Sequence, residues 1–219
     1  MDRQFLDRRQ AGRKLGQVLL RLPAEDPVVL ALPRGGVPVG YEIARLLSAP
    51  LEAFIVRKIG LPGCPEVPMG ALASGGIQVL DGALIHQLQI QPYAVDRVIK
   101  DEMRQLARLE DRYGAGSAPP VLRGRTAILV DDGLAAGLTM RAAVRAARKQ
   151  QPARIIVAVP VGARAAIRLL EAEADEVLCL RTPEPFVAVG SWYAQFDQTT
   201  DYEVCRLLGR MRAPERLAS

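Results

Sequence analysis

The segment Ala127-Ile128-Leu129-Val130-Asp131-Asp132-Gly133-Leu134-Ala135-Ala136-Gly137-Leu138-Thr139-Met140 constrains this chain more than any other. Its run of four apolar residues suits a strand buried on both faces, as in a parallel sheet. Two adjacent carboxylates follow, then a glycine-bearing loop, then Thr139, where a helical pattern begins. Such a loop leaves backbone N–H groups unpaired at the positive end of the helix, which suits a phosphate. Open α/β sheets place their ligands at the C-terminal tips of the strands, where Asp131 and Asp132 fall. Donors for a phosphate beside acceptors for hydroxyls point to a sugar phosphate. Taken alone, Asp-Asp-Gly after a strand is also a plain turn, because both residue types favour that geometry.

The rest of the chain alternates strands and helices with short connections, which implies an α/β fold with a mostly parallel, twisted sheet flanked by helices. Its 219 residues fit a single domain, 1–219. The spacing predicts an amphipathic helix over 3–22, a strand over Val28–Leu32, a helix over Val37–Leu47 and a strand over Leu51–Ile59. Glycines, prolines and short β-like runs at Met69–Ala73 and Ile77–Leu80 suggest a mobile β-hairpin over about 58–82. A helix over Pro92–Tyr113 and a Gly/Pro/Ser linker over 114–124 precede the central strand Thr126–Val130. Beyond it come a helix over Thr139–Gln150, strands at Ile155–Val159 and Val177–Leu180 around a helix near Ala163–Glu173, and a last helix near Tyr202–Arg212.

Composition excludes several chemistries. Three cysteines without CxxC spacing and one histidine, His86, supply no convincing zinc set and no pair of histidines. Cys179 reads as a buried thiol. No apolar run approaches the roughly 20 residues that cross a bilayer. The charged N-terminal stretch lacks the apolar core of a signal peptide, so a cytoplasmic location is expected. The net charge of +5 favours anionic partners in general. Without an aromatic RNA-binding signature, however, nucleic acid is not the expected partner.

Two further sites fit the same ligand as the acidic loop. In Leu32-Pro33-Arg34-Gly35-Gly36, the glycines after a strand let backbone approach a ligand, and Arg34 offers paired donors to a phosphate. A plain strand–helix turn is the alternative. Arg57 and Lys58 are adjacent cations at a strand tip, which costs free energy unless they are solvated or paired with an anion. A solvated surface position is the alternative for Lys58.

Together these residues resemble the type I phosphoribosyltransferases. Their phosphoribosyl pyrophosphate (PRPP) loop runs as four apolar residues, two acids, a short spacer and Thr-Gly-x-Thr. Two positions depart from that pattern: Ala136 stands where a threonine is usual, and Leu138 where a small residue is usual. The resemblance implies a type I fold with a flexible flap and a small hood, the hood drawn from the N-terminal helix and residues 182–212. It implies that Asp131 and Asp132 accept the ribose 2′- and 3′-hydroxyls. The 5′-phosphate would sit on the loop Gly133, Ala135, Ala136, Gly137, Leu138 and Thr139. Arg34, Gly35, Gly36, Arg57 and Lys58 would serve the pyrophosphate.

Mg²⁺ would come with PRPP and water, with no direct protein ligand. The implied activity is transfer of the phosphoribosyl group to a nitrogenous base with release of pyrophosphate; a homodimer is common in the fold. The aromatic-rich run Phe186–Gln198 is either a satellite core or part of the hood. With Arg57-Lys58 and the acidic loop, this tail is similar to that of a group of bacterial phosphoribosyltransferase-domain proteins without a settled substrate, a likeness running from Phe5 to Val204. A regulatory protein that keeps the fold and senses PRPP or nucleotides is the alternative, and Ala136 and Leu138 are the residues that support it.

Overall fold

The computed structural model describes residues 4–114 and 121–212, so most of the expected linker lies outside the described residues. In chain order the elements are α1 (Arg8–Leu19), β1 (Pro27–Ala31), α2 (Gly36–Leu47), β2 (Leu51–Ala53), β3 (Val56–Leu61), β4 (Cys64–Ala73) and β5 (Ile77–Leu80). Then follow α3 (Gly82–Gln87), α4 (Pro92–Gly114), β6 (Thr126–Val130), α5 (Leu138–Lys149), β7 (Arg154–Val161), α6 (Arg164–Glu171) and β8 (Glu176–Arg181). A 3₁₀ turn (Val189–Trp192) and α7 (Asp201–Arg212) complete the chain.

The main sheet has the order β2-β1-β6-β7-β8, and every pairing in it is parallel. Its central strands are buried on both faces, which explains their unbroken apolar runs. Parity then sorts the side chains into two cores. Val29, Ile128 and Ile156, neighbours in register, face the core shared with α1, α2, α4 and α7. Val28, Ala127 and Ile155 face the core shared with α5 and α6.

Three expectations need correction. The expected strand Leu51–Ile59 is two strands in different sheets. At the break, the Phe54 N–H still donates to the Ala31 carbonyl, while the Ile55 N–H donates to Ser74 Oγ. Both residues at the break are buried, so the apolar run continues across it and hides the change of sheet.

The expected hairpin is a three-stranded antiparallel sheet, β3-β4-β5, with a register shift at Ile59 and Gly60. It is followed by the unforeseen α3, whose first turn is capped by Asp81 Oδ1 accepting from the Leu84 N–H. Finally, α1 begins only at Arg8, because Asp7 caps it by accepting from the Gln10 N–H at 2.7 Å. Phe5 instead lies in a bridge beside Tyr193, donating its N–H to the Trp192 carbonyl at 2.8 Å.

Ile128 is fully buried in the middle of the central strand. Replacing it with alanine is expected to lower unfolding free energy by about 2–5 kcal/mol, the usual cost of an unfilled core cavity. Urea denaturation checks this.

Candidate functional site

The chain leaves β1 toward one edge of the sheet, for β2, and leaves β6 toward the other, for β7. The strand order therefore reverses between β1 and β6, and the crevice at their C-terminal ends is the place where α/β sheets hold ligands. Ala31 pairs with Val130, so the two following loops start side by side, and the Leu32 N–H donates to the Val130 carbonyl at 2.9 Å. The structure thus brings Gly35 and Gly36 up against Asp132 and Asp131, while the Arg34 side chain lies by Asp201.

The glycines are there because the loops touch. A Cβ on Gly35 would collide with Asp132 Oδ2, and one on Gly36 would lie 2.5 Å from the Val130 carbonyl oxygen. Between them and β1, the Pro33–Arg34 peptide bond is cis.

The two acids differ. Asp131 Oδ1 accepts from the Asp132 N–H at 2.8 Å, and Asp131 has no ion pair among the described residues. Burial first, and the neighbouring Asp132 charge second, push its carboxyl well above the ordinary range. Asp132 is also pushed up by burial, but Arg8 opposes the shift. Arg8 Nε donates to Asp132 Oδ2 at 2.8 Å, and Arg8 Nη1 donates to the Asp197 carbonyl at 2.7 Å. The Arg8 guanidinium also lies 3.8 Å from the centre of the Phe196 ring.

Tyr193 stacks on Phe196 at 5.0 Å and donates its hydroxyl to the Asp132 carbonyl at 2.6 Å. The aromatic tail is accordingly a satellite core around Phe5 and Tyr193 that also walls the acidic loop.

At the start of α5, Gly137 has a φ of +72°. This left-handed conformation suits glycine and turns the loop into the helix. The N–H groups of Leu138, Thr139 and Met140 have no backbone acceptor there. They border a 200 Å³ cavity lined by Asp131, by Gly133 and the residues through Met140, and by Lys58.

Arg57 and Lys58 alternate across β3 and serve different cavities. Arg57 lines a separate 360 Å³ cleft with Arg34 and donates to Glu102 Oε2 at 2.5 Å. Thr139 borders both spaces.

Arg8, Glu102, Arg112, Tyr113 and Asp201 are site residues that the motifs did not reveal. The partners lie far apart in sequence, and only the Arg8–Tyr193 neighbourhood had a signal, the aromatic run. His86 lies on α3 and lines neither cavity. Cys179 is half-buried, its thiol pushed up to about 11 by burial, which keeps it unreactive.

The phosphoribosyl transferase domain family matches residues 4–196. This chain belongs to that family. A Mycobacterium tuberculosis protein named provisionally as a phosphoribosyl transferase is 42% identical over 206 residues, 94% of this chain. The chain spans about half the length of that relative, 46%. Among solved structures, TT1426 from Thermus thermophilus has a TM-score of 0.87 and 39% identity, covering 95% of this chain and 99% of its own. A hypothetical protein from Neisseria gonorrhoeae, solved with bound ppGpp, has a TM-score of 0.50 at 15% identity, covering 97% and 99%; it speaks for the fold alone.

Asp131, half-buried with a raised pKa, binds its proton more tightly in the native chain than in the unfolded one. Its contribution to stability therefore falls as pH rises from the ordinary value of 3.8 through the raised native one. Asp131→Asn keeps an acceptor for the Asp132 N–H and removes that cost. It is expected to raise the melting temperature at pH 7, with the gain disappearing below about pH 4; calorimetric melts across pH check it.

Proposed function

We propose that this protein binds PRPP with Mg²⁺ and transfers its 5-phosphoribosyl group to a nitrogenous base, releasing pyrophosphate. The observation that carries the reading is Asp131, a half-buried carboxyl without an ion pair among the described residues, set beside helix N–H groups with no backbone acceptor at the sheet's switch point. A ribose 5-phosphate supplies what that pair of features lacks, hydroxyl donors for the acid and an anion for the N–H groups.

In this reading Asp131 accepts from the ribose hydroxyls, helped by the unblocked oxygen of Asp132. The loop from Ala135 to Thr139 holds the 5′-phosphate, with Lys58 across the cavity from it. Arg34 and Arg57, with the Gly35–Gly36 backbone, face the pyrophosphate in the larger cleft. The bond from C1′ to the pyrophosphate oxygen breaks with its electron pair leaving on pyrophosphate. A lone pair of the base nitrogen forms the new bond at C1′, and the proton that nitrogen sheds goes to solvent. Charge grows on the leaving oxygens, so fixed guanidinium groups act where it develops.

Among the described residues no three Asp, Glu, His or Cys side chains lie together as a metal cage. The donor set fits a hard cation carried by PRPP oxygens and water, which would neutralise pyrophosphate charge when bound. The β3-β4-β5 sheet is the proposed flap, and the N-terminal segment with residues 182–212 the proposed hood. One domain, a cytoplasmic setting and a homodimer complete the proposal; no helix among the described residues is long and apolar enough to cross a membrane.

A PRPP- or nucleotide-sensing protein is the second reading. It is favoured by Ala136 and by the bulk of Leu138, which is 47% exposed at the phosphate cavity. Calorimetric titration with PRPP and Mg²⁺, followed by a pyrophosphate-release screen across common bases, separates the two. Binding with release for one base establishes the transferase, and binding without release for any base establishes the sensor.

Asp131→Asn is expected to abolish PRPP binding or turnover. Full activity in that variant would refute the assignment of the loop. Ala136 is exposed and borders the phosphate cavity, so a threonine there has room to add one charge-assisted hydrogen bond. Such a bond contributes about 1.5–3 kcal/mol, so Ala136→Thr is expected to tighten PRPP binding roughly ten- to hundredfold. The same titration measures it.

A further inference from the structure

The 360 Å³ cleft has residues from two elements outside every motif: Arg112 and Tyr113 from α4, and Asp201 from the start of α7. Asp201 holds two guanidinium groups from different parts of the fold. Arg112 Nη1 donates to its Oδ2 at 2.5 Å, and Arg34 Nη1 lies 3.7 Å from its Oδ1, beyond hydrogen-bond reach. Tyr113 donates its hydroxyl to Asp201 Oδ1 at 2.6 Å. That bond first, and Arg112 next, hold the Asp201 carboxyl below its ordinary range, so it is an anion at neutral pH. Burial first, and Asp201 second, push Tyr113 up to about 12, so it keeps its proton as a donor.

We propose that Asp201 is a resident stand-in for the leaving anion. It holds Arg34 and Arg112 until a pyrophosphate displaces it, and Arg112 then becomes a further pyrophosphate-binding residue. The inference rests on the phosphoribosyl reading of the site and adds to it a competitor carboxylate and a third arginine.

Three observations carry it. First, the cleft's charge is unbalanced. Arg34, Arg57 and Arg112 face it, while among the described residues only Asp201 and the Glu102 that binds Arg57 oppose them. Second, the contacts are suited to exchange. Asp201, Arg34 and Arg112 have side chains 35%, 44% and 54% exposed, and ion pairs that open to water are weak. Third, the replacement is the better partner. A pyrophosphate brings more charge and more oxygens than one carboxylate, and guanidinium forks bind such oxygens in pairs. Tyr113, still protonated, remains as the partner of Asp201 after the arginines leave.

The test titrates inorganic pyrophosphate with Mg²⁺ into the protein and its variants by calorimetry. Asp201→Asn removes the competing charge and is expected to bind pyrophosphate about two- to fivefold more tightly, in keeping with an exposed pair. Asp201→Ser, which keeps a side chain tolerated at a helix start, should tighten it likewise. Arg112→Gln should weaken it about tenfold or more.

A merely structural Asp201 would give the opposite sign, because loosening α7 can only weaken the cleft. Unchanged or weaker binding in both Asp201 variants overturns the inference, as does unchanged binding in Arg112→Gln. PRPP titrated into the parent protein distinguishes the failures. If PRPP binds and the variants misbehave, only this inference fails. If neither PRPP nor pyrophosphate binds, the phosphoribosyl reading fails with it.

Discussion

Asp132 joins the parts of this site to one another. Its carboxylate packs against Gly35 so tightly that no side chain fits there, which locks the loop after β6 to the loop after β1. The same carboxylate receives Arg8 from the first helix, and its backbone carbonyl receives Tyr193 from the tail. Three separated stretches of chain thus converge on one residue of a fourth. The arrangement divides the labour between adjacent acids: Asp132 is held by protein groups, and Asp131 is left as the carboxyl with unmet demand.

Electrostatics across the site follow one pattern, in which cations near the crevice are mostly matched to carboxylates from neighbouring elements. Arg8 is matched to Asp132, Arg57 to Glu102, and Arg34 and Arg112 to Asp201. Lys58 has no ion pair among the described residues and borders the cavity of unpaired N–H groups. Folding the chain without a ligand requires such matching, because several unpaired guanidinium groups in one crevice would repel. It also means that the net charge of the whole chain says little about the field inside the site.

The sheet and its tip residues were legible because they depend on local pattern. Thr126–Val130 reads as a buried strand, and the strand–acid–glycine–threonine order fixes where the loop must sit. Gly35 and Gly137 were legible as glycines at turns, although the clash that demands Gly35 comes from a carboxylate almost a hundred residues later. The break at Phe54 and Ile55 was hidden because burial on both sides erases the period that marks a strand's end. Helix α3 was missed because it is short and has no fully buried residue to set a helical pattern. Arg8, Arg112 and Asp201 were invisible for another reason: an arginine on a helix looks solvated until the fold supplies its partner.

The alternation of side chains along β3 has a further consequence. Arg57 and Lys58 are rigidly joined yet face separate cavities, and Thr139 borders both. Whatever displaces that strand when one cavity fills moves a cation in the other. An occupant that displaced the strand would thereby link the two cavities, and linkage is reciprocal: the factor by which an occupant of the first changes affinity in the second is the factor by which the second changes the first. A slip of one residue along the strand would carry one cation into the other's place and leave an apolar side chain, Val56 or Ile59, where the first had been.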